Sequence, residues 1–185
     1  MLSSNFLQGQ RVRLTALAQE DLKSVARWYQ DAGFLRLMDA VPARPKTENE
    51  LQAWMASAHK AKDGFLFAIR KVDADQLLGF VELDGILWNQ QNGWLGIAIG
   101  ERADWDQGMG QEAMELALRF IFDELNLHRI SLSVFAYNER AIALYEKLGF
   151  RREGVQREAL YRDGQRYDMI WYGLLCREWR SSRHA

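Results

Sequence analysis

Residues 135–154 read FAYNERAIALYEKLGFRREG, and how this stretch is read decides the fold. It overlaps RISLSVFAY (129–137), where Leu132 and Val134 alternate with serines at 131 and 133, the pattern of a half-buried strand. ERAIALYEKLG (139–149) then has helical spacing and stops at Gly149, a natural occupant of the left-handed position that ends a helix. The result is an asparagine, Asn138, at a strand end and a tyrosine, Tyr145, seven residues on inside a helix that closes in Leu-Gly-Phe.

Upstream, DWDQGMGQEA (104–113) runs into a second amphipathic stretch, with Ala113, Leu116, Ala117, Phe120, Ile121 and Leu125 on one face. A glycine-pinched loop at the mouth of a helix favours an anion, because free N–H groups and the helix dipole both attract negative charge. Asp104 and Asp106 oppose that expectation on charge; a loop that binds through its main chain lets both point outward, with Arg102, or Lys147 and Arg151 beyond it, offsetting their charge. GMGQEA also fits the dinucleotide fingerprint G-x-G-x-x-A through Gly108, Gly110 and Ala113. That fingerprint needs its first glycine in a tight turn off a strand and an acidic residue about 20 positions on. Here the preceding strand ends near Ile99, and Ser131 to Phe135 contain no acid.

The remaining elements follow outward. QRVRLTAL (10–17) alternates as a strand, and AQEDLKSVARWYQ (18–30) carries Leu22, Val25, Ala26 and Tyr29 at helical spacing. Residues 31–46, with Pro42 and Pro45, read as a loop; Thr47 with Glu50 three positions on forms a capping box ahead of Leu51 and Trp54. GFLFAIRKV, LLGFVELDGILW and WLGIAIG between residues 64 and 100 make an antiparallel meander. GVQREALY and RYDMIWYGLL close the chain, joined at RDGQ, where Asp-Gly predicts a tight hairpin. The order is β-α-α-β-β-β-α-β-α-β-β. It predicts an α/β (α+β) fold, a mixed, mostly antiparallel sheet of about seven strands with four helices packed on both faces. Residues 1–185 are expected to form one domain, with a polar tail from about 177 to 185 that frays.

Composition narrows the function. The 24 Lys and Arg against 25 Asp and Glu leave no global field to draw nucleic acid or an anionic membrane. Cys176 is the only cysteine, and the three histidines have no metal-site spacing with it, so no metal is expected. No apolar run approaches the roughly 18 residues that would span a bilayer, and the N-terminus lacks a signal-peptide pattern. A cytoplasmic protein is the expectation.

IGERADWDQGMGQEA (99–113) and YNERAIALYEKLGF (137–150), at this separation, resemble the pyrophosphate loop and the later strand-and-helix motif of the GCN5-related N-acetyltransferase (GNAT) superfamily. The similarity continues through EGVQREALYRDGQRYDMIWYGLL, covering about residues 77 to 175. It is strongest to the branch of ribosomal-protein alanine and spermidine acetyltransferases, where Trp commonly leads the loop, as Trp105 does here. The resemblance implies acetyl-CoA as donor and a primary amine as acceptor, a small molecule or a protein N-terminus, with homodimers common among relatives. It implies that backbone N–H groups of Gln107, Gly108, Met109, Gly110 and Gln111 hold the pyrophosphate. Ile97, Ala98 and Ile99 would pair with the pantetheine arm and present an N–H to the thioester oxygen. Asn138 matches the residue that contacts that arm, and Tyr145 the general acid that protonates the departing thiolate, a role open to a phenol that holds its proton at neutral pH.

The chain departs from the family's pattern at the general base: many relatives carry a Glu where Trp94 stands. Glu82 and Asp84 lie two apart, on one face of the preceding strand, and can receive the amine's proton through water, bind a cationic acceptor, or form a solvated strand face. Trp88 and Trp94 suggest an aromatic wall or simple packing. Two functional readings follow: direct attack of an amine on the thioester, and a CoA-binding sensor or partner-binding domain that has lost catalysis. The nucleotide-binding reading stands third.

Overall fold

The computed structural model describes residues 5–182. Seven strands form one sheet in the order β1-β2-β3-β4-β5-β7-β6. They are β1 (Val12–Ala16), β2 (Phe65–Lys71), β3 (Leu77–Leu87), β4 (Asn92–Ile99), β5 (Arg129–Phe135), β6 (Arg151–Arg162) and β7 (Gln165–Leu175). All neighbours pair antiparallel except β4 and β5. The helices are α1 (Leu22–Trp28), α2 (Ala32–Met38), α3 (Glu48–Lys60), α4 (Met109–Arg119), α5 (Glu139–Lys147) and α6 (Cys176–Ser182). Among the described residues no helix is long and apolar enough to cross a membrane.

Each face of the sheet buries its own core. On one face α1 to α3 pack Leu22, Val25, Phe34 and Leu51 over Ala68, Phe80 and Ala98. On the other, α4 and the turn that follows it pack Met114, Leu118 and Phe122 over Val12, Ile69, Val81 and Ile130. Each such fully buried side chain contributes about 1.5–3 kcal/mol relative to exposure. The helix of α4 continues through a π-helical turn, Phe120–Glu124. There Phe120 meets Phe65 and Phe67 edge-on at 5.1 Å.

The local signals read from the sequence act as expected. The Thr47 hydroxyl accepts from the Glu50 N–H at 3.3 Å, and the Glu50 carboxylate accepts from the Thr47 N–H at 2.9 Å. Gly149 follows α5 at φ 89°, and the β6–β7 turn puts Asp163 and Gly164 at φ 48° and 79°, the pair of left-handed residues a tight hairpin needs.

Two expectations fail. Four helices were expected and six form among the described residues, because α2 lies in the segment read as a loop and α6 in the tail read as frayed. Asp31 starts α2 by accepting from the Gly33 N–H at 2.7 Å, and Phe34 and Leu35 anchor it in the core. Seven residues are too few for a periodic pattern to show. Trp179 holds α6, buried to 6% exposure against Phe122. Residues 183–185 of that tail lie outside the described residues.

Candidate active site

The site begins with a defect in the sheet. β4 and β5 share only three register pairs, Asn92–Trp94 with Arg129–Ser131, and then diverge. Beyond them β4 is paired only on its β3 side, so its other edge, at Ile97 to Ile99, faces a wedge-shaped cleft of about 670 Å³. The first turn of α4 closes one side, and β5 with α5 closes the other. Ile97, Ala98, Ile99, Trp105, Gly108, Gly110, Gln111, Asn138 and Tyr145, nine of the residues singled out from the sequence, line this cleft, whereas Gln107 and Met109 do not.

The loop at residues 102–108 is fastened from behind. Arg11 donates to the carbonyl oxygens of Gln107 at 2.7 Å and Gly108 at 3.4 Å, and its Nε pairs with Glu112 at 3.0 Å. With those carbonyls taken up by Arg11, the amides at the start of α4 are left to the cleft, which suits an anion. Gly108 makes this possible: its φ is 76°, and a Cβ there would stand 2.9 Å from both Arg11 terminal nitrogens. A Cβ at Gly110 would meet only Ile99 at 3.6 Å and Ile97 at 4.0 Å. Glycine at 110 therefore leaves cleft space free, whereas glycine at 108 relieves the protein itself. These features fit a diphosphate and its pantetheine arm.

Other loop residues have structural tasks. Trp105 donates from Nε1 to the Ile99 carbonyl at 3.0 Å, tying the loop to the end of β4. Met109 is buried in the core, so only its main chain is available to a ligand. The Gln107 side chain donates to the Ala103 carbonyl, and the Gln111 side chain to Glu115 at 2.8 Å.

The two aspartates divide. Asp104, expected to point outward, is instead buried and paired with Lys71 at 3.3 Å. Asp106 is exposed and sits at φ 58°, a left-handed position where glycine is the least strained residue. Of the cations expected to offset them, Arg102 is taken by Asp31 at 3.2 Å and Arg151 by Glu178 at 3.2 Å, while Lys147 lines the cleft. Arg140, overlooked in the sequence, lines it too, with its guanidinium 3.4 Å over the Trp105 ring.

Asn138 caps α5, its side chain accepting from the Ala141 N–H at 3.3 Å. This fixes the helix that carries Tyr145. The Tyr145 ring packs between Phe150 and Tyr172, and the residue is 6% exposed. Burial pushes its phenol up to about 12, and among the described residues its hydroxyl has no hydrogen-bond partner.

Glu82, Asp84 and Trp94 lie outside the cleft lining but on one face beside it. Glu82 stands directly across from Gly96 and Asp84 from Trp94. Adding a Cβ to Gly96 would meet nothing within 4 Å, so Glu82 overlooks open space. Burial first, and then the charge of Asp84, raise the Glu82 carboxyl above its ordinary value; a hydrogen bond from Trp54 and the charge of Lys46 oppose this. Burial and then Asp63 push Asp84 the same way. The aromatic neighbour of Trp94 is Trp171, edge-on at 5.2 Å, and not Trp88, which donates to the Lys62 carbonyl at 3.0 Å.

Helix α2 bridges the wedge. Its Phe34 packs on Trp28 of α1 and on Tyr29, which caps that helix, and Phe34, Leu37 and Met38 line the cleft. At its far end Arg36 makes a two-pronged pair with Asp163 at 2.7 and 2.8 Å, and Arg162 donates to the carbonyls of Asp39, Ala40 and Val41.

With this geometry in hand, the family is settled by sequence: residues 11–151 match the acetyltransferase (GNAT) domain. The chain belongs to the GNAT acetyltransferase family. It is 28% identical over 178 residues to the SPbeta prophage-derived N-acetyltransferase YokL of Bacillus subtilis, covering 96% of this chain and 97% of that one. It is 26% identical over 150 residues to the ribosomal protein uS5-alanine N-acetyltransferase of Escherichia coli, covering 77% and 76%. The spermidine N-acetyltransferase of Vibrio cholerae, solved with CoA and spermine, shares the fold at a TM-score of 0.81, with 23% identity over 91% of this chain and 98% of that one. The expected sheet, its mixed pairing and the acetyltransferase assignment all agree with these matches, and the dinucleotide reading of GMGQEA gives way to them.

Proposed function

We propose that this GNAT protein transfers an acetyl group from acetyl-CoA to a primary amine by direct attack on the thioester. The observation that carries the reading is the convergence on one cleft of an unpaired strand edge, a loop whose carbonyls are held away by Arg11, and the unbonded hydroxyl of Tyr145. Amides from Gln107 to Gln111 hold the diphosphate. Ile97 to Ile99 pair with the pantetheine arm as an added strand would, and an N–H of β4 stabilises charge on the thioester oxygen. Asn138 keeps α5 in place against that arm. Tyr145 gives its proton to sulfur as the C–S bond breaks.

Glu82 takes the proton the ammonium must lose, through water in the open space over Gly96, with Asp84 beside it and Trp94 and Trp171 walling the approach. In balance, the protonated amine loses two protons as the C–N bond forms. One is released through Glu82 and the other replaces the proton Tyr145 gives to CoA. Cys176 takes no part, since no covalent intermediate is invoked. The relatives named for a ribosomal-protein alanine and for spermidine support an amine acceptor, either a protein N-terminus or a small molecule.

A second reading, a CoA-binding sensor, is favoured by Trp94 in the place of the family's acid. Thiol release from acetyl-CoA across a panel of alanine-initiated peptides, polyamines and amino sugars tests the two. Release with any amine supports the enzyme; CoA binding without release from any of them supports the sensor.

A further inference from the structure

Arg140 is the arginine that lines the cleft, and among the described residues it has neither a carboxylate partner nor a protein hydrogen-bond acceptor. Its guanidinium carbon lies over the Trp105 ring, 3.4 Å from the centroid, and the half-buried side chain lines the cleft beside the amide-presenting loop. Burial lowers its proton affinity, the nearby charge of Asp106 opposes that shift, and Arg102 adds to it. A guanidinium that is desolvated without an ion pair is a cost to the free protein. Stacking on an indole recovers part of that cost and leaves the in-plane N–H groups free to point at a ligand. Trp105 is itself held by the Ile99 carbonyl, so the plate under Arg140 is rigid.

We propose that Arg140 is the cationic clamp on the cofactor's diphosphate, closing on it from α5 opposite the loop amides, with Trp105 as the plate that orients it. The proposal rests on the cofactor reading above. It accounts for how a loop carrying Asp106, with a glutamine at 107, binds a doubly charged group: the positive charge comes from the helix across the cleft. Arginine suits the task better than lysine because its planar fork can engage two phosphate oxygens while stacked.

The test compares three ligands on two proteins. CoA, dephospho-CoA and pantetheine are titrated into the parent and Arg140→Gln, by calorimetry for the first two and NMR for pantetheine, with thermal melting to verify folding. The expected result is an equal loss for CoA and dephospho-CoA of roughly 10- to 100-fold, the worth of a charge-assisted hydrogen bond, with pantetheine unaffected. Arg140→Lys recovers part of the loss. A loss confined to CoA would move the contact to the ribose phosphate and overturn the assignment. A loss shared by pantetheine, or no loss, overturns it as well. A parent that binds none of the three removes the cofactor reading and this inference together, whereas a binding parent with an indifferent variant removes the inference alone.

Discussion

Tyr145→Phe removes one oxygen from the site, and the structure sets the size of the effect. Burial raises the phenol to about 12, while a thiol as acidic as a cysteine side chain ionises near 8.5. Complete transfer of the proton to a free thiolate therefore lies uphill by 12 minus 8.5, about 3.5 pH units or ~5 kcal/mol. The same dry surroundings raise the proton affinity of a thiolate formed there, which closes part of that gap. Positioned acids contribute about 10²- to 10⁴-fold, and a donor this reluctant belongs at the lower end. The variant should lose about 100-fold in kcat, ~2.7 kcal/mol of barrier. Folding should barely change, because the hydroxyl has no protein partner to leave unsatisfied. The assay is thiol release in a single turnover at saturating amine, read with a chromogenic thiol reagent, beside calorimetric binding of CoA. Because the phenol stays protonated, the parent's kcat should show no falling limb below about pH 10. A variant that keeps its turnover within about threefold, or loses CoA affinity in proportion to rate, refutes the acid role.

Other positions separate protein stability from ligand binding. Gly108→Ala must hold φ 76° and crowd Arg11, so it should lower stability by about 1–2 kcal/mol in denaturant melts. Gly110→Ala meets only ordinary contacts, so the melt should not move while CoA binding weakens; the reverse pattern would contradict the division drawn between the two glycines. For Glu82, the folded state holds the carboxyl above its ordinary value, so ionising it costs stability as pH rises through that raised value. Glu82→Gln should therefore melt higher than the parent at pH 7 to 8, with the difference gone below the ordinary carboxylate value of about 4.3. It should also lose kcat/KM and the acid limb of the pH profile; full activity would end the proton-acceptor role. Trp179→Ala should cost about 3–5 kcal/mol by emptying a core position, and a neutral result would mean α6 does not dock.

Much of this fold is legible in the sequence because its decisive signals are local. Alternation marks the strands, the Thr47–Glu50 box starts α3, Gly149 stops α5, and Asp163-Gly164 turns the hairpin. Each works through dihedral preferences or hydrogen bonds within a few residues, so a linear string carries it. The cleft residues were found on the same terms, as motif positions at a characteristic spacing. The short helices α2 and α6 were not, because single anchors such as Phe34 and Trp179 stabilise them across the chain and leave no periodic trace.

What the string could not settle was which charges meet. Asp104 and Asp106 are two residues apart and chemically identical, yet one is buried against Lys71 and the other exposed in a left-handed turn. Arg102 and Arg140 both face Trp105, yet Asp31 of α2 takes only the first. Sequence alone determined the family, the order of elements and the loop that opens α4, since these depend on neighbours in the chain. Tertiary structure alone decided that Arg11 turns the loop carbonyls away, that β4 and β5 part after three residues, and that Arg140 reaches the cleft without an ion pair. Pairing of charges and the splay of strands depend on distances between segments far apart in the chain, and only the packed core sets those distances.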